Sequence, residues 1–285
     1  MSRPFHSAVH LLSPVVLFLV FACGGPPEAE PPVADAPRAP AQQAAPRPAR
    51  LAWETRTLER TGAGCGEEGT PCATVSLEYP EVTAAPGDGA VEALNRFIRD
   101  FVLAPAVGEE PAATPEALAE EVLQESERFH REFPDAPGGW ALERTVRIVH
   151  QAPRVISLEA AEATFLGGAH PNSAVTYASF DPATGRRLAL ADLFLPTAGA
   201  RLREVAERRF REARGIPPDL DLAEEGFEFE GGSFDLNDNF AVLEDGLVFY
   251  YNPYEVAAYV FGPTEVKLTR EDLAGLVRPG GPLGG

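Results

Sequence analysis

Basic charge is scarce in this chain. It carries one lysine, Lys267, and 24 lysines and arginines in all, against 43 aspartates and glutamates, for a formal charge of −19. Nucleic-acid phosphates are held by clusters of Lys and Arg, so this balance argues against a nucleic-acid partner. It argues equally against charge-driven docking on anionic lipid. Long apolar runs are also missing. The longest, Leu11 to Phe21, spans 11 residues, and a helix needs about 20 to cross a bilayer. Histidine is sparse: beyond residue 23 there are only His130, His150 and His170. None lies two or four residues from another, so the usual zinc pairings are absent and no metal site is assigned. The segment Gly231-Gly232-Ser233-Phe234-Asp235 lacks the glycine that a nucleophile elbow needs two places after its serine. Asp235-Leu236-Asn237-Asp238-Asn239 opens like a calcium loop but has Phe240 and Gly246 where glycine and the closing glutamate belong. No catalytic residue and no cofactor are assigned.

What is present begins with a leader. Arg3 is the only charge before residue 28, and the apolar run is too short to span, which reads as a secretory signal peptide over residues 1–22. It ends in Val20-Phe21-Ala22-Cys23-Gly24, which resembles a bacterial lipobox with Cys23 as the lipidated residue. Several acyl chains on one cysteine anchor stably where one would not. The protein is therefore expected in the bacterial cell envelope, lipid-anchored. Gly24 in place of aspartate favours the outer membrane where the cell has one. Losing Arg3 with the leader moves the charge from −19 to −20. Residues 23–50 are rich in Pro and Ala, too poor in large apolar groups to fold and stiff enough to act as a tether. Cys65 and Cys72 flank turn-forming residues. An oxidising compartment would close them into a local disulfide, and a two-cysteine metal site is the rival reading.

The acidity is uneven. Gly215 to Val266 contains no Lys or Arg but holds Asp219, Asp221, Glu224, Glu225, Glu228, Glu230, Asp235, Asp238, Glu244, Asp245, Glu255 and Glu265. These are solvated loops, or a face that steers a cationic partner, or the counter-ions of the arginines between Arg201 and Arg214.

Hydrophobic periodicity then gives the fold class. Leu51–Arg60 reads as an edge strand and Ala73–Tyr79 as a strand with Val75, Leu77 and Tyr79 on one face. Asp88 is placed to cap a helix striped by Leu94, Phe97, Ile98 and Phe101, and Thr114-Pro115 opens a second helix. Ala141–His150, Pro153–Leu166 and Ser173–Phe180 alternate as strands, and a helix is expected near residues 198–213. Phe240–Leu243 and Leu247–Tyr251 form a hairpin about Asp245-Gly246. Val256–Phe261 and Thr264–Leu268 read as strands, and Thr269-Arg270-Glu271-Asp272 as the start of a short helix. This order predicts an α+β fold, a largely antiparallel sheet with helices segregated to one side, in two subdomains.

Four motifs carry a resemblance. They are Gly167-Gly168-Ala169-His170-Pro171-Asn172, Phe180-Asp181-Pro182-Ala183-Thr184-Gly185-Arg186-Arg187-Leu188, Asp192-Leu193-Phe194, and Phe249-Tyr250-Tyr251-Asn252-Pro253-Tyr254-Glu255. Together they resemble the extracytoplasmic domain shared by RsiV-type anti-sigma factors and PdaC-type peptidoglycan deacetylases. The resemblance implies an N-terminal α+β subdomain over 51–160, the RsiV C-terminal-like domain over 161–277, and a loose tail over 278–285. It departs from the family pattern at Glu255–Gly262, which usually holds proline and a small residue. It implies a recognition module and not a known catalyst. RsiV-type proteins bind lysozyme through this region, so a cationic, lysozyme-like protein is one expected partner and peptidoglycan another. A cryptic hydrolase is the reading from a different class. An anti-sigma role is not expected, since no sigma-binding part and no membrane span is recognised. The binding residues assigned are His170, Asn172, Tyr250, Tyr254 and Glu255. His170 also admits a role in fixing its own turn, or in holding a metal, and core packing is the bland alternative for the tyrosines. Tyr250 and Tyr254 are expected to share a strand face, with Tyr251 pointing away.

Overall fold

Between β2 (Thr74–Ala84) and β3 (Ala141–Ala152) the chain makes two helices, α1 (Ala90–Val102) and α2 (Pro115–Glu132). Parallel neighbours cannot be joined by a tight turn. This helical crossover is what lets β2 and β3 pair parallel, Val75 opposite Leu142. The computed structural model describes residues 50–284 apart from 64, 67–70 and 137. The leader, Cys23 and nearly all of the tether lie outside the described residues.

Every other strand pair is antiparallel. A five-stranded sheet runs in the order β1-β2-β3-β4-β5, where β1 is Ala52–Thr61, β4 is Val155–Phe165 and β5 is Asn172–Phe180. A three-stranded sheet holds β6 (Phe240–Leu243), β7 (Gly246–Tyr251) and β8 (Thr264–Thr269). Two further helices, α3 (Leu190–Leu193) and α4 (Gly199–Arg214), lie between the sheets in sequence. The α+β reading holds, with β2–β3 as its parallel exception.

Local chemistry sets the helix ends. Thr114 Oγ1 accepts from the Ala117 amide at 3.1 Å and Pro115 occupies the first helical place, as expected for α2. α4 stops at Gly215, whose φ of 68° closes the helix with amide bonds back to the Arg211 and Glu212 carbonyls. α1 differs from expectation: its cap residue is Gly89, not Asp88. The turn Asp181–Gly185 packs against this end so closely that a Cβ on Gly87 would lie 1.8 Å from the Ala183 oxygen. That close packing demands small residues at the helix entrance.

Two apolar clusters form. One gathers Val75, Leu77, Leu94, Ile98, Leu118, Val122, Leu142 and Leu158 between the five-stranded sheet and α1 and α2. The other gathers Leu202, Phe210, Phe234, Phe249, Tyr251 and Val266 between α4 and the three-stranded sheet. A third, smaller group of Tyr177, Ala241 and Val248 sits where β5 meets β6 and β7. There the buried Ser157 and Ser179 hydroxyls bond each other at 2.9 Å, and Ser179 accepts the Val242 amide at 3.0 Å. The polar atoms at this seam are thereby satisfied, as burial requires.

Among the described residues, Arg144 is the one guanidinium driven into the interior, at 2% exposure. It donates to Glu162 at 2.7 Å and to the carbonyls of Val102 and Ala104 at 2.9 and 2.6 Å, closing the C-terminal end of α1. Its charge lies 6.0 Å over the Phe101 ring.

Two further expectations are corrected, and one is met. Val256–Phe261 is not a strand: Pro253–Glu255 turn, Ala257 makes a single bridge to Phe227, and Tyr259–Phe261 form a 3₁₀ turn. Both sides of β7 are already taken, by β6 and β8, so this segment cannot pair with the strand that precedes it. After Thr269 the capping bonds do form, Thr269 amide to Asp272 Oδ2 at 3.0 Å and Asp272 amide to Thr269 Oγ1 at 3.2 Å. Only turns follow, because Asp272 is drawn to Arg208 and Arg209 of α4 and Gly275 adopts a φ of 76°. The two cysteines Cys65 and Cys72 are joined as a disulfide, which removes the metal alternative. Among the described residues, no helix is long and apolar enough to cross a membrane.

Candidate functional site

β5 is the last strand of its sheet, and an open edge presents a row of backbone groups seeking partners. Here side chains supply them. Asn252 Oδ1 accepts the Val175 amide at 2.7 Å while its Nδ2 donates to the Val175 carbonyl at 3.1 Å. Asn239 Oδ1 accepts the Tyr177 amide at 2.7 Å and its Nδ2 donates to the Val175 carbonyl at 2.8 Å. Arg187 donates to the Tyr177 carbonyl at 3.1 Å, and the Leu188 amide to the Ser179 carbonyl at 2.7 Å. Two asparagines thus do for β5 what a neighbouring strand would do.

Asn252 and a third asparagine, Asn237, fix the loop after β7. Glu255 accepts from Asn237 Nδ2 at 2.6 Å through one oxygen and from the Asn252 amide at 2.8 Å through the other. Asn237 Nδ2 also donates to the Tyr250 carbonyl at 2.8 Å. The residue inside this bracket, Tyr254, has a φ of 67°, the one positive φ outside glycine among the described residues. A bulky side chain there is strained unless its surroundings hold it, and such positions gather at functional sites. Its ring is left 62% exposed.

Tyr254 meets residues from two other segments. Its hydroxyl lies 3.2 Å from His170 Nε2. His170 Nδ1 is 2.9 Å from the Pro171 carbonyl, which can only accept, so that nitrogen carries a proton and donates. His170 stacks on Tyr259, centroids 3.9 Å apart and planes at 20°, and the Tyr259 hydroxyl donates to the Pro171 carbonyl at 2.6 Å. Tyr254 and Tyr259 lie 5.5 Å apart. The result is a platform of three rings at the surface. Beside it Val260 is 86% and Phe261 41% exposed. Arg214 of α4 holds this turn from below, donating to the carbonyls of Phe261 and Pro263 at 2.5 and 3.3 Å while lying 4.9 Å over the Phe227 ring. Burial pushes its pKa down from the usual arginine range.

Of the assigned residues, His170 and Tyr254 come together. Glu255 lies next to them, but both its oxygens are engaged within the chain, so it orients the loop. Asn172 begins β5 opposite Thr164 and stands outside the network. Tyr250 does not share a face with Tyr254, because β7 ends at Tyr251 and the chain turns. Its half-buried ring packs edge-on against Tyr177 at 6.2 Å. Tyr251 is core, its hydroxyl donating to the Asp235 carbonyl at 2.7 Å, and burial pushes its pKa far up. His130, read as solvated, is half-buried, with its ring nitrogens 2.9 Å from the Ser126 carbonyl and 3.0 Å from that of Gly138. Gly167 serves packing: with φ at 77°, a Cβ there would lie 2.8 Å from Trp140 Nε1. The residues missed by sequence reading are Asn237, Asn239, Asn252 and Arg214; Tyr259 stands out as one of a tyrosine cluster but is not assigned to binding. Asn237 and Asn239 gave a signal, the run weighed as a calcium loop, but their side chains serve backbone groups and Glu255.

The acidic stretch is mostly unneutralised. Within it Asp235 pairs with Arg203 and Glu265 with Lys267. No ion pair among the described residues involves Asp219, Glu224, Glu225, Glu228, Glu230, Asp238, Glu244 or Asp245. Of the other α4 arginines, Arg201, Arg208, Arg209 and Arg211 turn instead to Glu204, Glu207, Glu212 and Asp272.

Residues 67–173 match the family model described as deacetylase PdaC, and residues 191–271 match that described as protein of unknown function DUF3298. The chain is thus similar to two families over successive stretches, each less than half its length. It resembles the crystal structure of a DUF3298 family member from Bacteroides fragilis, at 18% identity and a TM-score of 0.63, covering 80% of this chain and 94% of that one. A DUF3298 family protein from Pseudomonas aeruginosa matches at 21% identity and a TM-score of 0.57, over 80% of this chain and 95% of that one. At such identities the likeness is one of fold. A search of curated proteins finds no match. The ring platform takes Tyr254 and Tyr259 from the DUF3298-type region and His170 from the end of the PdaC-type match.

Proposed function

We propose that the protein is a lipid-anchored cell-envelope binding protein without enzymatic activity, which captures a cationic protein of lysozyme type on the platform of His170, Tyr254 and Tyr259. The observation that carries this reading is Tyr254, a strained and exposed ring held in place by a hydrogen-bonded bracket. Rigid tyrosines with apolar faces and polar tips are favoured as anchors in protein recognition. The unneutralised carboxylates of the acidic stretch supply the complementary field, which steers a basic protein towards the chain. Anchoring through Cys23 and the tether would hold the platform away from a membrane surface.

The test is to mix the chain from Gly24 onward with c-type lysozyme at low and moderate salt. A complex that weakens with salt, together with inhibition of the lysozyme, supports the reading. No complex and no inhibition at either salt removes lysozyme from consideration. Peptidoglycan is the second reading, favoured by the flat His170–Tyr259 stack, since exposed rings also suit sugar faces. Sedimentation with purified peptidoglycan separates the two: a glycan binder pellets with it, and a protein binder stays in the supernatant.

A further inference from the structure

The connection from α4 to β6 covers residues 215–239, longer than most loops within a domain. It folds over a pocket of about 370 Å³. Leu222, Phe227 and Phe234 form the floor and belong to the core around Phe210, with ring centroids 5.3 and 5.5 Å from it for the two phenylalanines. The rim is acidic. Glu207 is neutralised by Arg211 at 2.7 Å, and Arg211 Nη1 donates to the carbonyls of Pro217 and Leu220 at 3.3 and 2.9 Å. That leaves Asp221 and Glu228. Asp221 accepts the Ala223 amide at 2.8 Å through Oδ1 and pairs with no cation among the described residues. Glu228 is exposed, and its side chain likewise has no ion-pair partner among them.

An apolar aromatic floor under two unneutralised carboxylates suits one kind of group: an aliphatic stem ending in a cation, the stem covering the rings and the head reaching the rim. An anion would meet uncompensated negative charge, and a neutral apolar group would desolvate the carboxylates for no return. We propose that this pocket receives a lysine or arginine side chain from a basic polypeptide partner. It lies next to the ring platform, because the Glu228 amide donates to the Val256 carbonyl at 2.7 Å and Phe227 bridges Ala257, in the segment leading to Tyr259. A side chain entering here would anchor a partner already lying on Tyr254 and Tyr259. The inference rests on the cationic-partner reading and adds the site at which that charge is read.

The test titrates two probes of matched shape into the chain from Gly24 onward: Nα-acetyl-lysine methylamide and Nα-acetyl-norleucine methylamide. Amide NMR shifts around Phe227–Ser233 are followed. The lysine probe is expected to move these signals saturably, two- to fivefold more tightly than norleucine, as expected of an exposed ion pair. Glu228→Gln, which keeps the side chain's shape, is expected to remove that advantage, and Asp221→Asn to reduce it while keeping the Ala223 amide bond. Equal binding of the two probes, shifts centred on Glu244 and Asp245 instead, or an unchanged lysine preference in Glu228→Gln would overturn the proposal. Saturable lysine binding here with no binding of any basic protein would keep the pocket and defeat the broader reading. A lysozyme complex indifferent to Glu228→Gln, with no probe binding, would do the reverse.

Discussion

At the residue scale the motifs that look functional in the sequence divide into two kinds. Gly167 and Gly168 look alike on paper, yet only Gly167 has both a positive φ and a neighbour in the way, whereas a Cβ on Gly168 would meet nothing closer than 3.9 Å. Gly167→Ala is therefore expected to destabilise the fold by about 1–3 kcal/mol, and Gly168→Ala by about 0.5 kcal/mol or less. Urea midpoints of the two variants check this, and equal midpoints would refute the packing role. The second motif, Arg186 to Asp192, is an ion pair with two parallel bonds of 2.7 and 2.8 Å. Its Arg186 bond, together with the Ala189 amide, holds the Asp192 carboxyl down at about 2, against 3.8 ordinarily. A carboxyl depressed in the folded state stabilises above its unfolded pKa, and that contribution fades as pH falls from about 4 towards 2. With the exposed guanidinium screened by water, it amounts to about 1 kcal/mol at neutral pH. Asp192→Asn should cost that much at pH 7 and nearly nothing at pH 2, read from paired denaturation curves. A gap independent of pH would contradict the assignment.

At the scale of elements the sequence was a good guide wherever an apolar stripe had one sheet or helix to face. β2 to β5, α2, α4 and the β6–β7 hairpin all follow their periodicity. It failed where partners are settled by distant chain. Nothing local to Val256–Phe261 says that β7 already has two neighbours, so a β-rich run reads as a strand and forms a turn. Nothing local to Asn239 or Asn252 says that they face the edge of β5, because the contact spans 62 and 77 positions. Part of the site was legible nevertheless: His170 and Tyr254 stood out as a glycine-flanked histidine and a tyrosine within a dense motif. Their joining through Tyr259 depends on the fold. The asparagine bracket makes its own prediction. Asn252→Ala would leave the Val175 amide without its acceptor at a half-buried edge, while the Val175 carbonyl keeps Asn239, costing about 1–3 kcal/mol. It should also speed hydrogen exchange at Val175 and loosen Tyr254, both visible by amide NMR. Unchanged exchange at Val175 would show that the bracket does not hold the edge.

At the scale of the whole molecule, the disulfide and the charge matter most. Cys65 and Cys72 are only 7 positions apart, so on the chain-entropy view the link contributes about 2–3 kcal/mol. Reduction should lower the urea midpoint without changing the fold, and loss of the near-ultraviolet dichroism on reduction would mean that the staple is indispensable. Four α4 arginines are consumed by the helix's own glutamates and by Asp272, and Arg203 by Asp235, which leaves most carboxylates of the 219–245 region to solvent or a partner. The account's central claim is that a bracketed ring platform in this acidic field captures a basic protein. The most direct test is titration calorimetry of c-type lysozyme with the chain from Gly24 onward, wild type and Tyr254→Ala, at two salt concentrations. The account predicts a complex that weakens with salt and loses at least about tenfold in affinity in Tyr254→Ala, the loss of a central aromatic anchor. Equal affinity in wild type and variant, or no heat of binding at either salt, would contradict it.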